Sequence, residues 1–186
     1  MEYQLKNVKT GKSAIYKSTV SIYEEEELVF FRFYAENTQF YCPYENYNGI
    51  HSWGDACEIL IGTDPKRRTY YEMEISANGR LMLAKMTIVK KRLFDAPKLK
   101  IDFVDEKDCF IKGKVEKVEN GYFAQISFNK KDVFTGKGNI YFNAYRLETD
   151  GGEKNKHLFA LNPTKRNFFH RPKRFVWLKD YISPEK

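Results

Sequence analysis

The feature that most constrains this 186-residue chain is a succession of short strand-like runs separated by turn signals. Apolar and aromatic residues alternate with polar ones in TYYEMEIS (69–76) and YFAQISFN (122–129), a period typical of half-buried β-strands. Asn78-Gly79 is the dipeptide that two-residue hairpin turns prefer. The sequence therefore predicts an all-β protein of about ten strands, with at most one short helix over 130–134.

An antiparallel two-sheet β-sandwich is the architecture that such a strand pattern favours at this length. The chain contains 15 Phe and 13 Tyr, mostly inside the predicted strands, where aromatic residues pack well. No linker, repeat or low-complexity stretch divides it, so residues 1–186 are predicted to form one domain. In strand 69–76 we expect Tyr71 to face the core with Met73 and Ile75, and Trp177 is also predicted to be a core residue.

The charge of the chain is concentrated at one end. The net charge is +7, and residues 154–186 alone contain nine basic and two acidic residues, so the remainder is neutral overall. A basic segment of this kind favours phosphate, nucleic acid or an acidic glycan, unless it is simply a solvated face. The N-terminus has no apolar stretch typical of a signal peptide, and no run is long enough for a membrane span. A cytoplasmic protein is expected if the chain is complete.

Motifs typical of enzymes and metal sites are absent from the sequence. There are three His and three Cys residues, with no nucleophile elbow, Gly-rich phosphate loop or Cys/His ligand spacing. A non-catalytic protein without a cofactor is therefore expected. The 18-residue aromatic loop 38–55 is long enough for a binding role. It places Trp53 five residues before Glu58, an apolar platform and a hydrogen-bond acceptor that together suit a sugar.

Three segments, in this order, resemble the family 9 carbohydrate-binding modules of the DOMON-like β-sandwich superfamily. The first two are HSWGDACEILIGTD (51–64) and TYYEMEISANG (69–79), and the third combines NAYRLE (143–148) with LFALNPTKRNFFHRPKRF (158–175). The closing Phe-Gly of the family is replaced here by Phe175-Val176. The resemblance implies a sandwich that binds a saccharide end between two aromatic side chains in a loop-lined cleft.

The resemblance also implies roles for individual residues. Trp53 and Phe169 match the two aromatic clamp positions, and Glu58 matches the acidic residue that accepts hydrogen bonds from sugar hydroxyls. For each position a structural role is the alternative: Trp53 would plug the sandwich end, and Phe168 would be the exposed ring instead of Phe169. Members of the family can bind structural calcium, but Glu45, Asp55 and Asp64 form no recognised calcium loop here.

Three further residues are candidates for ligand binding: His170, Arg146 and Tyr71. His170 would bond hydroxyls or pack beside Pro172, and Tyr71 would belong to the core. Glu58 and Arg146 are expected to form a partly buried ion pair. The predicted ligand is a saccharide or glycan fragment, and the basic C-terminal loop favours an anionic one. The alternatives are a scaffold without a ligand or a module that binds nucleic acid or another anionic ligand through that loop; nucleic acid and membrane are not the expected partners.

Overall fold

The computed structural model describes residues 1–37, 39–49, 54–90, 96–134, 139–152 and 156–183, which form thirteen strands. In chain order the strands are β1 (Glu2–Gln4), β2 (Lys6–Asn7), β3 (Ser18–Glu25), β4 (Leu28–Glu36), β5 (Ala56–Gly62), β6 (Thr69–Ser76), β7 (Leu81–Lys90), β8 (Lys98–Phe103), β9 (Lys112–Val118), β10 (Gly121–Asn129), β11 (Tyr141–Glu148), β12 (His157–Ala160) and β13 (Val176–Trp177). Helix α1 (Lys130–Val133) lies where the sequence predicted a short helix, and single 3₁₀ turns occur at Glu106–Asp108, Pro172–Arg174 and Leu178–Asp180. None of the helices in the described residues is long and apolar enough to cross a membrane.

The strands form two antiparallel sheets, which confirms the predicted sandwich. The smaller sheet has the order β1-β3-β4-β10-β9. The larger sheet has the order β2-β12-β11-β5-β6-β7-β8, and β13 pairs with β11. The prediction of about ten strands missed β1 and β2, because strands of two or three residues are too short to show a period of two.

Tight turns connect neighbouring strands, and the predicted turn at Asn78-Gly79 is present. Glu26 and Glu27 connect β3 to β4, and Glu26 has a positive φ of 52°. Gly79, with φ +84°, lies in the turn between β6 and β7, a conformation that glycine adopts without steric cost. Gly121 starts β10, where an added Cβ would lie 2.1 Å from the carbonyl oxygen of Ala35, so only glycine fits this close approach.

The main core lies between the two sheets. Its fully buried side chains come from β3, β4 and β10 of the smaller sheet and from β5, β6, β7 and β11 of the larger one. In β6 the inner face carries Met73 and Ile75, as the sequence predicted, and Tyr71 packs edge-on against Phe110 at the margin of this core. Burial of these apolar surfaces is the main source of stability for a sandwich of this kind.

The outer face of the larger sheet is also covered. Leu60, Tyr70, Ala84, Met86 and Tyr145 form a second apolar cluster there, together with side chains from outside the central strands. The covering residues include Phe175, which is buried, and Phe169, which is half-buried, both from the segment after β12. This second layer creates the walls of a cavity on the outer face.

Candidate functional site

Strand register places three glutamates side by side on the outer face of the larger sheet. Glu58 of β5 pairs directly with Glu74 of β6 on one side and with Tyr145 of β11 on the other. Glu72 precedes Glu74 by two residues and therefore points to the same face of β6. We refer to Glu58, Glu72 and Glu74 as the glutamate cluster.

Burial perturbs the ionisation of this cluster. Glu58 and Glu72 are only 6% and 7% exposed, and Glu74 is half-buried. Burial, followed by repulsion from neighbouring carboxylates, raises the pKa of Glu58 and Glu74 well above the ordinary range. Burial also raises the pKa of Glu72 to about 7. Glu72 lies within hydrogen-bonding reach of the other two, so protons can be shared across the cluster.

An open cavity of about 530 Å³ lies above the glutamate cluster, and we refer to it as the site cavity. Its volume falls in the ~300–1,000 Å³ range of small-molecule sites. The walls combine apolar side chains of the sheet with residues of the loop after β12. Besides the cluster, the lining comprises Ala56, Met82, Met86, Ile101, Phe103, Leu147, Lys156, Leu158, Asn167, Phe168, Phe169 and His170.

The loop that carries Phe169 is fixed to the sheet by stacking and hydrogen bonds. The Phe169 ring stacks on the Tyr145 ring with centroids 4.4 Å apart, and the Tyr145 hydroxyl donates to the Phe169 carbonyl oxygen at 3.0 Å. The Thr164 hydroxyl donates to the Phe168 carbonyl oxygen at 2.9 Å. These contacts position the loop that forms one wall of the site cavity.

His170 lies at the junction of this loop and the glutamate cluster. Its Nδ1 is 3.0 Å from the Tyr70 hydroxyl, and its Nε2 is 3.6 Å from Oε1 of Glu72. Burial lowers the pKa of His170 to about 4, so the imidazole is neutral at neutral pH. A neutral imidazole can supply one donor and one acceptor.

The structure brings three of the predicted site residues together. Glu58, Phe169 and His170 all line the site cavity. Phe168, the alternative to Phe169, lines it as well. Trp53 lies outside the described residues, so its place in the clamp stays a prediction.

Arg146 and Tyr71 lie on the other face of the larger sheet. Arg146 pairs with Cys57, whereas Tyr145 pairs with Glu58, so Arg146 and Glu58 point in opposite directions. Arg146 forms its ion pair with Glu148 between the sheets. The predicted ion pair between Glu58 and Arg146 is therefore wrong, because the strand register separates the two side chains.

The sequence did not single out Glu72, Glu74 and Phe103 as site residues. The period of two indicated that Glu72 and Glu74 share a face with Tyr70, but not that this face lines a cavity. Phe103 comes from β8 and is 49% exposed beside the site cavity. Large exposed apolar side chains often mark binding surfaces, but the exposure of Phe103 is visible only in the structure and not in the sequence.

Two cations of the basic C-terminal region bond to the protein's own backbone. The Arg171 guanidinium donates to the Thr164 carbonyl oxygen, and Lys165 Nζ donates to the Thr10 carbonyl oxygen at 3.1 Å.

Trp177, predicted to be a core residue, is 38% exposed. The two-residue strand β13 that carries it lies at the margin of the sheet, and Lys179 lies over the Trp177 ring.

Two of the acidic residues considered for calcium bond to the protein itself. Asp55 accepts from the backbone N–H groups of Tyr41 at 2.7 Å and Thr149 at 2.9 Å. Asp64 accepts from the N–H groups of Lys66 and Arg68 in its turn. Both side chains therefore have structural roles that explain their presence.

No family model matches the sequence, and no curated protein matches it. Among solved structures, a "putative carbohydrate-binding protein" from Bacteroides uniformis is similar, with a TM-score of 0.72 and 14% identity over 93% of this chain and 83% of the other. A family 9 carbohydrate-binding module from Caldicellulosiruptor kristjanssonii in complex with cellotriose has a TM-score of 0.64 and 9% identity over 97% of this chain and 80% of that module. The module from the same organism in complex with glucose has a TM-score of 0.64 and 8% identity, covering 99% and 86%. The chain thus has the β-sandwich fold of the family 9 carbohydrate-binding modules.

Proposed function

We propose that the chain binds a saccharide in the site cavity without catalysing a reaction on it. The observation that carries this proposal is the position of the glutamate cluster on the floor of an open cavity with aromatic walls. The ligands in the complexes of the similar modules, cellotriose and glucose, favour a neutral sugar.

Apolar contact would come from the rings that line the cavity. Phe169 and Phe168 belong to the loop after β12, and Phe103 belongs to β8. The C–H face of a sugar packs favourably on an aromatic ring, since the ring face is electron-rich. Trp53 would add a further platform if the clamp implied by the family resemblance is present.

Directed hydrogen bonds would come from the cavity floor. Carboxylate oxygens accept hydrogen bonds from hydroxyl groups and bind them more tightly than neutral acceptors do. Oε1 of Glu58 is buried and, apart from the carboxyl groups of the cluster, has no hydrogen-bond partner among the described residues, so a bound hydroxyl group would satisfy it. His170 can present a donor or an acceptor beside the cluster.

A neutral saccharide suits this cavity better than an anionic ligand. The floor carries three acidic side chains, whose ionised forms repel negative charge, and two cations of the basic loop, Lys165 and Arg171, bond to backbone carbonyl oxygens. For the same reason nucleic acid remains the less favoured ligand.

Catalysis is disfavoured by the direction of the carboxylates. A retaining or inverting glycosidase places its two carboxyl groups on either side of the scissile bond. All three glutamates of the cluster project from adjacent positions of β5 and β6 on one floor. They can therefore bind one side of a sugar but do not flank a bond between two sugars.

Calorimetric titration of the full chain with glucose and cello-oligosaccharides tests the proposed function. We expect a dissociation constant of ~10⁻³–10⁻⁵ M, equivalent to about −4 to −7 kcal/mol. Phe169→Ala should weaken binding because it removes one aromatic wall. Failure of every neutral sugar to bind, with retained binding of single-stranded oligonucleotide at low salt, would instead favour the basic-loop alternative.

Phe103→Ala is expected to raise the saccharide dissociation constant about 3- to 10-fold, which corresponds to roughly 0.5–1.5 kcal/mol of aromatic contact. Because Phe103 is 49% exposed, its removal should leave the fold intact. The matched control is Phe123→Ala, which removes a half-buried ring from β10 of the other sheet. Equal titration curves for the two variants would exclude Phe103 from the site.

A further inference from the structure

The floor of the site cavity brings three acidic side chains within reach of one ion. One carboxylate oxygen from each member of the glutamate cluster lies within 4.8 Å of the other two. Calcium binds oxygen at about 2.3–2.6 Å, so ligands on opposite sides of one ion are roughly 5 Å apart. A single calcium ion can therefore contact all three carboxylates with little side-chain movement.

A second and independent observation concerns Glu58. Its side chain is more than nine-tenths buried, and its Oε1 has no hydrogen-bond donor in the described part of the chain unless a neighbouring carboxyl group of the cluster is protonated. Buried polar oxygens are nearly always bonded, because leaving one unpaired is costly. An unpartnered oxygen that converges with two other carboxylates is the arrangement expected of a metal ligand.

Charge balance points in the same direction. Glu58 and Glu74 are directly opposite on neighbouring strands, a position where like charges destabilise a sheet. Within the described residues, Nε2 of His170 lies 3.6 Å from Oε1 of Glu72, but this imidazole is neutral at neutral pH and supplies no positive charge; Lys156 lines the same cavity. A divalent cation would neutralise most of the negative charge at the point where the carboxylates meet.

We propose that Glu58, Glu72 and Glu74 bind a calcium ion on the floor of the site cavity. Calcium suits the site because all three ligands are oxygens and because calcium tolerates irregular geometry. The cavity side of the ion would be open to water or to sugar hydroxyls; contact with a sugar rests on the proposed function, whereas calcium binding itself does not.

Titration of calcium chloride into the chelator-treated full chain at pH 7.5, without sugar, tests this site. Calorimetry should show one calcium per chain with a dissociation constant of ~10⁻⁵–10⁻³ M. Glu74→Gln should weaken calcium binding at least tenfold, because it removes one charged ligand. Glu27→Gln, in the exposed turn between β3 and β4, is the matched control and should bind calcium normally.

The glutamine variant keeps the size of the side chain and removes a like charge, so it should remain folded; thermal unfolding in chelator verifies this. Three results overturn the inference: no calcium binding up to about 10 mM, unchanged binding by Glu74→Gln, or equally tight binding of magnesium. A saccharide titration in chelator separates the two proposals. Calcium binding without a saccharide response supports the calcium site and contradicts the proposed function, and saccharide binding without a calcium response does the reverse.

Discussion

Arg146→Met is expected to lower the free energy of unfolding by about 3–5 kcal/mol, the usual cost of removing one partner of a buried ion pair. Arg146 is fully buried between the sheets. Its guanidinium donates to the Ser18 hydroxyl at 2.6 Å and to the Glu36 carbonyl oxygen at 2.7 Å, and it forms an ion pair with Glu148. It therefore ties β11 of the larger sheet to β3 and β4 of the smaller one.

The groups left behind account for most of this loss. Glu148 and Asp55 are almost fully buried, and burial raises the pKa of both carboxyl groups, an effect that the nearby Arg146 charge opposes. Without Arg146 these carboxyl groups lose their positive neighbour, and the hydroxyl and carbonyl oxygens lose their donor.

Urea unfolding measures the change, and the melting temperature should fall by about 6–20 °C for a chain of this size. Arg32→Met, at an exposed position of β4, is the matched control; it loses the contact of Arg32 with the Phe123 ring, so the expected change is within about 1 kcal/mol. A loss below ~1 kcal/mol in Arg146→Met would show that the network between the sheets contributes little to stability.

The fold could be predicted from the sequence because its strands are long and periodic. Alternation in 69–76 placed Met73 and Ile75 in the core, and the Asn78-Gly79 turn fixed where that strand ends. These signals are local, so they predict a strand even when the strands that pair with it are unknown.

The site could be predicted only in part, because it depends on contacts distant in sequence. Glu58 and Phe169 followed from the family resemblance, and both line the site cavity. The side chains of Glu72 and Glu74 are covered by a loop about a hundred residues further along the chain, which no local pattern reveals. The predicted ion pair between Arg146 and Glu58 failed for a related reason. Glu58 pairs with Tyr145, one residue before Arg146, and a difference of one residue in register places a side chain on the opposite face of the sheet.

The free energy of unfolding, measured in chelator, is expected to fall by a few kcal/mol as pH rises from about 6.5 to 8.5. The cause is the glutamate cluster. The pKa of Glu72 is about 7 in the folded chain, and those of Glu58 and Glu74 are raised further by burial, against about 4.5 for an unfolded Glu. The folded state therefore holds more protons than the unfolded state in this window, and raising the pH favours unfolding.

His170 has the opposite sign but acts at lower pH. Burial lowers its pKa to about 4, below the unfolded value near 6.5, so the unfolded state binds the extra proton between these limits. Its contribution makes stability rise with pH and is nearly complete by about pH 7.5. Above that pH the slope should report the glutamate cluster with little interference from His170.

Glu58→Gln isolates the origin of the slope. The variant removes one proton-binding group and one like charge, so it should be more stable than the natural chain at pH 8.5 and show a shallower fall from pH 6.5. Glu27→Gln, in the exposed turn, should reproduce the natural slope and thereby exclude a general effect of net charge. Urea unfolding of the three proteins at several pH values measures how the free energy of unfolding of each one changes with pH. A flat or rising stability above pH 6.5 in the natural chain would mean that folding does not raise the pKa values of the buried carboxyl groups on the cavity floor.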